Sequence, residues 1–234
     1  VFGGHIAEPA RTFTIANEPA ELGGVLFLLL TGASGVGKST ARRYVEAELG
    51  DVVHCAELRD VAAVPAVPTI EWRNQATEAA VRAALSFDRP HFLLASDPVA
   101  VGELLAVPSA PELDGIAACL LDARPDVQTA RLTARGDDPA LLPNHVAFAD
   151  WMRAHASDPQ HMQHVLTGEG WEAMQWARWT ELPTGDPRWQ VTVVDTSDRT
   201  PDEVGRRVVA WVRAAIEGRA PRLTALHTSS TRFT

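Results

Sequence analysis

The residues most able to do chemistry lie together near the N-terminal third of the chain: Gly32-Ala33-Ser34-Gly35-Val36-Gly37-Lys38-Ser39-Thr40. They fit the pattern G-x-x-x-x-G-K-[ST]. Each residue type has a physical reason. Glycines let the backbone turn so that successive N–H groups face inward toward phosphate oxygens. A helix that opens at Lys38 adds the positive end of its dipole to the same spot. Lys38 would reach the β- and γ-phosphates of a bound nucleotide, and the Ser39 hydroxyl would ligate Mg2+. The chain has 21 basic residues and Lys38 is the one lysine among them. The spacing therefore points to nucleotide binding, with Gly32, Ser34, Gly35, Val36, Gly37, Lys38, Ser39 and Thr40 in contact with the phosphates.

A second set of candidates sits where strands are expected to end. Asp97 closes the apolar run at 91–96 and could hold Mg2+ or accept a proton. Glu57 and Asp60 follow a strand at 51–58 and are the alternative bases. Glu103, in the Pro98–Pro108 stretch, is a weaker acid candidate. Arg59 and Arg73 lie nearby, but the acids beside them favour a neutral or cationic hydroxyl compound as the partner molecule. Trp72, Trp151, Trp171, Trp176 and Trp179 could line an aromatic pocket for a planar or sugar-like compound, although each alone is more simply a packing residue. His145, His155, His161 and His164 lack the cysteines or carboxylates that would complete a zinc site. Cys55 and Cys119 fall in predicted strands and read as small buried apolar groups.

These residues need a scaffold, and the hydrophobic pattern supplies one. Short apolar runs at 24–31, 51–58, 91–96, 115–122 and 190–195 alternate with helical spacing at 38–49, 71–87, 125–135, 141–156 and beyond Thr200. Thr200-Pro201-Asp202-Glu203 reads as a capping box with proline at the first helical position. Strand and helix in alternation predict an α/β three-layer sandwich around a five-stranded parallel sheet, in which ligands bind at the carboxyl ends of the strands. Residues 1–23 read as an N-terminal extension and 218–234 as a flexible C-terminal tail. The stretch 157–189 reads as a Trp-rich helical insertion.

With the phosphate loop in this setting, the sequence resembles the P-loop small-molecule and nucleoside-monophosphate kinases, the group that includes adenylate, gluconate, shikimate and adenylylsulfate kinases. Arg131-Leu132-Thr133-Ala134-Arg135 resembles the R-L-x-x-R segment that opens the lid of those enzymes. The resemblance implies that Arg131 stacks on adenine and Arg135 grips phosphate. Asp195-Thr196-Ser197 resembles the segment that passes beside the base. The likeness covers about residues 24–156 and 190–217 and implies a P-loop NTPase fold over 24–217, with lid and insertion at about 131–189. The family's D-G-x-P-R signature is replaced by Ser96-Asp97-Pro98-Val99, which weakens the case for a nucleoside-monophosphate acceptor. The expectation is an ATP- and Mg2+-dependent kinase acting on a hydroxyl of a small molecule. A nucleoside-monophosphate kinase or a nucleotide-dependent regulatory ATPase are the alternatives.

Composition excludes other classes. The 234 residues carry a formal charge of −9, with 46% hydrophobic content and pI near 5.3. Such a surface lacks the cations that replace counterions on nucleic acid or that bind anionic membranes. No apolar run approaches the ~20 residues of a membrane span. No secretory signal or disulfide framework is visible, so a cytoplasmic location is expected.

Overall fold

The computed structural model describes residues 24–95 and 99–225. Asp97, the expected magnesium ligand or base, and the 1–23 extension lie outside the described residues. Five strands form one sheet: β1 (Leu26–Thr31), β2 (Val53–Ala56), β3 (His91–Ala95), β4 (Gly115–Asp122) and β5 (Thr192–Asp195). Their spatial order is β2-β3-β1-β4-β5, and every pair is parallel. β1 lies at the centre, in register with Leu26 opposite both His91 and Gly115.

All six residues of β1 are buried, as a strand covered on both faces requires. Alternate residues point to opposite layers. Leu26, Leu28 and Leu30 join Leu93, Ala117 and Cys119 beneath α1 (Lys38–Leu49) and the C-terminal helix Pro201–Ile216. Phe27 and Leu29 join Phe92, Leu94 and Ile116 on the other side. Gly205 lets the two helices of the first layer close up, since a Cβ there would lie 2.3 Å from the Tyr44 ring. The Thr200 capping box forms as its sequence predicts, with Thr200 N–H donating to the Glu203 carboxylate at 2.8 Å and Pro201 at the first turn.

The second layer contains α2 (Leu58–Val61), α3 (Ile70–Ser86), α4 (Val101–Ala106), α5 (Pro125–Arg135) and α6 (Leu142–Ser157). The expected insertion follows as two short helices, α7 (His164–Thr167) and α8 (Ala177–Thr180), before the C-terminal helix α9. It packs on α4. The Gln175 N–H donates to the Ala106 carbonyl at 2.6 Å, and Arg178 donates to the carbonyls of Leu105 and Val107 at 3.2 and 2.5 Å. Arg178 thus satisfies carbonyls left open where α4 ends. Trp179 is fully buried against Gly102, where a Cβ would be 2.6 Å from its ring.

Two expectations are corrected here. Residues 218–225 are not a free tail: Leu223 and Ile116 exchange backbone hydrogen bonds at 2.7 and 2.9 Å, and Leu223 is buried. β5 pairs with β4 only from Cys119 onward, so the start of β4 would otherwise leave an unpaired edge. The tryptophans of α6 and of the insertion do not together enclose a pocket: they pack in the core or against it. Trp151, Trp179 and Trp189 surround buried His155 in stacked and edge contacts at 4.9 to 5.2 Å. Among the described residues, no helix is long and apolar enough to cross a membrane.

Candidate active site

The loop from Gly32 to Gly37 leaves the end of β1 and turns directly into α1. Gly32, Gly35 and Gly37 take φ values of +141°, +83° and +101°, which L side chains disfavour. Gly32 is the most constrained, because a Cβ there would lie 2.3 Å from the Leu121 carbonyl oxygen. Lys38 lies back across this turn and donates to the carbonyls of Gly32 and Ala33, both at 2.8 Å. Burial and the nearby Arg135 charge pull its pKa down to about 7, against the opposing pull of Glu57. The loop is braced from α5: Gln128, fully buried, donates to the Ser34 carbonyl at 2.9 Å. Sequence reasoning missed Gln128, since a glutamine on a helix has no local signal for a partner 94 positions away.

Over this loop opens a cavity of about 710 Å³. Gly35, Gly37, Lys38, Ser39 and Thr40 of the glycine loop and α1 line it, together with Arg131 and Arg135 of α5. Glu57, Arg59, Trp72 and Arg73 line the same cavity, with Glu57 close enough to Lys38 to act on its charge. A second cavity of about 290 Å³ adjoins it, lined by Gly35, Val36, Gly37, Thr40, Arg131, Thr196, Arg199, Pro201 and Val204.

Arg131 donates to the hydroxyl and carbonyl of Thr196 at 2.9 and 2.7 Å. Thr196 is itself buried and anchored to the Asp122 carbonyl. α5 and the β5–α9 connection therefore meet beside the phosphate loop, leaving a slot with a guanidinium on one side and Pro201 and Val204 on another. Arg199 also lines this slot and was missed in the sequence, where it lies just past the segment considered. Asp195 does not line either cavity. Its carboxylate accepts from the N–H and hydroxyl of Ser197 at 2.8 and 2.6 Å, shaping the turn. Arg135 is half-exposed and paired with Asp137 at 2.6 Å.

The acids divide differently from expectation. Glu57 is buried and reaches the cavity; Arg59 donates to one of its oxygens, and Arg42 lies 3.5 Å from the other. Asp60 is exposed, and accepts from the Glu57 N–H at 2.7 Å as a cap of α2. It lines neither of the two cavities. Glu103 is wholly buried below the cavity, where it accepts from Arg73 at 2.5 Å, Asn74 at 2.9 Å and the Ala100 N–H at 2.9 Å. Burial pushes its pKa upward, and these donors oppose the shift. Of the five tryptophans considered for a binding pocket, Trp72 alone lines the large cavity, its ring held by an Nε1 bond to the Ala63 carbonyl at 2.9 Å. Among the described residues, no group of three or more His, Cys, Asp or Glu could hold a metal ion.

No family model matches the sequence, and no curated protein matches it. Solved structures do match the fold. A gluconokinase from Sinorhizobium meliloti 1021 aligns over 84% of this chain and 95% of its own, with a TM-score of 0.52 and 17% identity. The fold is that of a P-loop kinase. An APS kinase from Mycobacterium tuberculosis, solved with AMPPNP and APS, aligns over 81% of this chain and 98% of its own at 16% identity, with a TM-score of 0.41. Because every pair in the sheet is parallel, the carboxyl ends of all five strands face one side. The two cavities described above lie on that side, as the open-sheet rule requires.

Proposed function

We propose that the chain is an ATP- and Mg2+-dependent phosphotransferase that moves the γ-phosphate to a hydroxyl of a small molecule. One observation carries this reading. A single cavity of about 710 Å³ is lined both by the glycine loop with Lys38 and by Glu57, Arg59, Trp72 and Arg73, which leaves room for a triphosphate and a second molecule to meet in it. A nucleotide hydrolase would need room only for water.

In this reading the triphosphate lies on the backbone of Gly32 to Gly37 and the base enters the slot between Arg131 and Pro201. Lys38 and Arg135 face the charge that spreads over the transferring group. The acceptor oxygen forms a bond to the γ-phosphorus, and the bond from that phosphorus to the β–γ bridging oxygen breaks. ADP leaves with the electron pair. The hydroxyl proton passes to a carboxylate, either Asp97 or Glu57. Mg2+ takes few side-chain ligands and completes its shell from phosphate and water, which fits a site where Ser39 is the described side-chain donor and Asp97 the expected second. The ion would neutralise charge on the β- and γ-oxygens. Roofing by Arg131 and Arg135 would exclude water, which is how transfer prevails over hydrolysis.

Arg59 and Arg73 favour one second reading, a nucleoside-monophosphate kinase. ADP release, followed with ATP, Mg2+ and a panel of nucleosides, sugars, sugar acids, mononucleotides and aminoglycoside-like alcohols, tests both. Stimulation by a mononucleotide alone selects the second reading. No stimulation by any compound, with ATP slowly hydrolysed, overturns both.

A further inference from the structure

Six successive residues, Ala63 to Pro68, have no polar atom in their side chains, and all six are exposed. Val64 is 53% and Val67 78% exposed. Single exposed apolar residues are ordinary, but a run of them in one loop points to something that covers it. This strap joins α2 to α3 beside the large cavity, and its Val64 and Pro68 line that cavity.

Local bonds fix the strap. Thr69 caps α3 by accepting from the Trp72 N–H at 3.1 Å, and the Trp72 indole N–H donates back to the Ala63 carbonyl at 2.9 Å. Pro65 and Pro68 restrict the backbone between these two ties. The apolar side chains are thereby kept in solvent instead of turning into the core. A surface held in this way gives up little conformational freedom when a ligand covers it.

Charge on this side of the cavity is already balanced. The 57–73 segment contributes three charged side chains to the lining, Glu57, Arg59 and Arg73. Arg59 donates to Glu57. Arg73 donates through Nε to Glu103 at 2.5 Å, and both are shielded from water. Arg42, 3.5 Å from Glu57, also donates to Glu46 at 3.1 Å. The remaining lining of the segment is Leu58, Val64, Pro68, Thr69, Ile70 and Trp72. A charged acceptor would lose water here and find each opposite charge already claimed. A polyol would leave hydroxyls facing carbon. An apolar body gains from the same wall in proportion to the area it covers.

We infer that the acceptor is an uncharged alcohol with an extended apolar body, which lies on Val64, Pro68, Ile70 and Trp72 with its hydroxyl toward the phosphate loop. This rests on the kinase reading and names the acceptor class for the same site. It keeps the neutral acceptor expected from the sequence, sets aside a cationic or sugar-like one, and weighs against a mononucleotide.

The experiment is a ligand-observed NMR titration of the full chain, first with a non-hydrolysable ATP analogue and Mg2+, then, with those bound, with small alcohols. Binding of the analogue reports on the kinase reading by itself. A straight-chain series from butanol to octanol measures the wall: affinity should rise about fourfold for each methylene buried. The neutral para-methylbenzyl alcohol should bind at least roughly tenfold tighter than its charged counterparts, para-(hydroxymethyl)benzoate and para-(hydroxymethyl)benzylamine. It should exceed glucose, gluconate and uridine monophosphate by a similar factor. Val64→Ser should weaken octanol roughly fivefold, while Val52→Ser, at an exposed apolar residue outside the cavity, leaves it unchanged. Both valines are exposed, so neither change disturbs the core. Three results would overturn the inference while the analogue still binds and the kinase reading stands. They are equal affinity along the alcohol series, a charged or polyhydroxylated probe that matches para-methylbenzyl alcohol, and equal losses in the two valine variants. A chain that does not bind the ATP analogue overturns both.

Discussion

Lys38 gives the phosphate loop a measurable proton linkage. Its ammonium group is buried, donates to two loop carbonyls, and has a pKa drawn down from 10.5 to about 7 by burial and then by Arg135. Above pH 7 the empty site therefore holds a mostly neutral amine. A triphosphate brings negative charge to that amine and raises its pKa again. Binding above pH 7 must then take up a proton, and below pH 7 it need not. Binding at pH 8 should therefore take up most of a proton, and at pH 6 little of one. The same linkage makes the association constant fall as pH rises from 7 to 9. Titrating ATP with Mg2+ in Tris and in HEPES at each pH gives the uptake from the difference in apparent enthalpy. Lys38→Met should bind more weakly and show little uptake at pH 8. An uptake near zero at pH 8 in the natural chain, or an equal uptake in Lys38→Met, would refute the reasoning.

Other expectations concern the frame around the site. His155 is buried among three tryptophans with neither ring nitrogen hydrogen-bonded, and burial, with a smaller push from His161 against the pull of Asp158, lowers its pKa from 6.5 to about 4. Its folded pKa lies below the unfolded value, so this contribution to stability is full above pH 6.5 and is lost as pH falls toward 4. The loss is about 3 kcal/mol, and urea unfolding of His155→Phe beside the natural chain should show the two curves diverge by that order across this window. Trp179→Ala removes a fully buried ring and should destabilise by roughly 3–5 kcal/mol; a change under 1 kcal/mol in urea unfolding would contradict its place in the core. Arg131→Ala cuts the link to Thr196 and opens the base slot, which should raise the KM for ATP about tenfold with a smaller effect on kcat. An unchanged KM would remove Arg131 from the nucleotide site.

What the sequence made legible was local. The glycine turn after β1, the start of α1, the Thr200 cap, and the limits of β4 and α5 each depend on residues within a few positions of one another, and all match. One helical turn places Arg131 and Arg135 at the same end of α5, where both line the large cavity. What escaped depends on distance along the chain. Glu103 meets Arg73 across 30 positions and Gln128 meets Ser34 across 94, and no periodicity carries that information. Asp60 read as an open acid because a side chain that caps its own helix looks the same in sequence as one that faces a ligand. The tryptophans could not be divided from sequence, since aromatic residues that fill a core and those that line a pocket share composition. Leu223 was read as tail because a single bridge to Ile116 has no pattern to detect.

The most direct test of the central claim is to follow ATP labelled on its γ-phosphate with the acceptor panel in the presence of Mg2+. The account predicts label in an organic acceptor in equal amount to the ADP formed, and a loss of transfer of roughly 10³–10⁵-fold in Lys38→Ala without loss of the fold. Label that appears only as inorganic phosphate with every acceptor, or full transfer by Lys38→Ala, would contradict it.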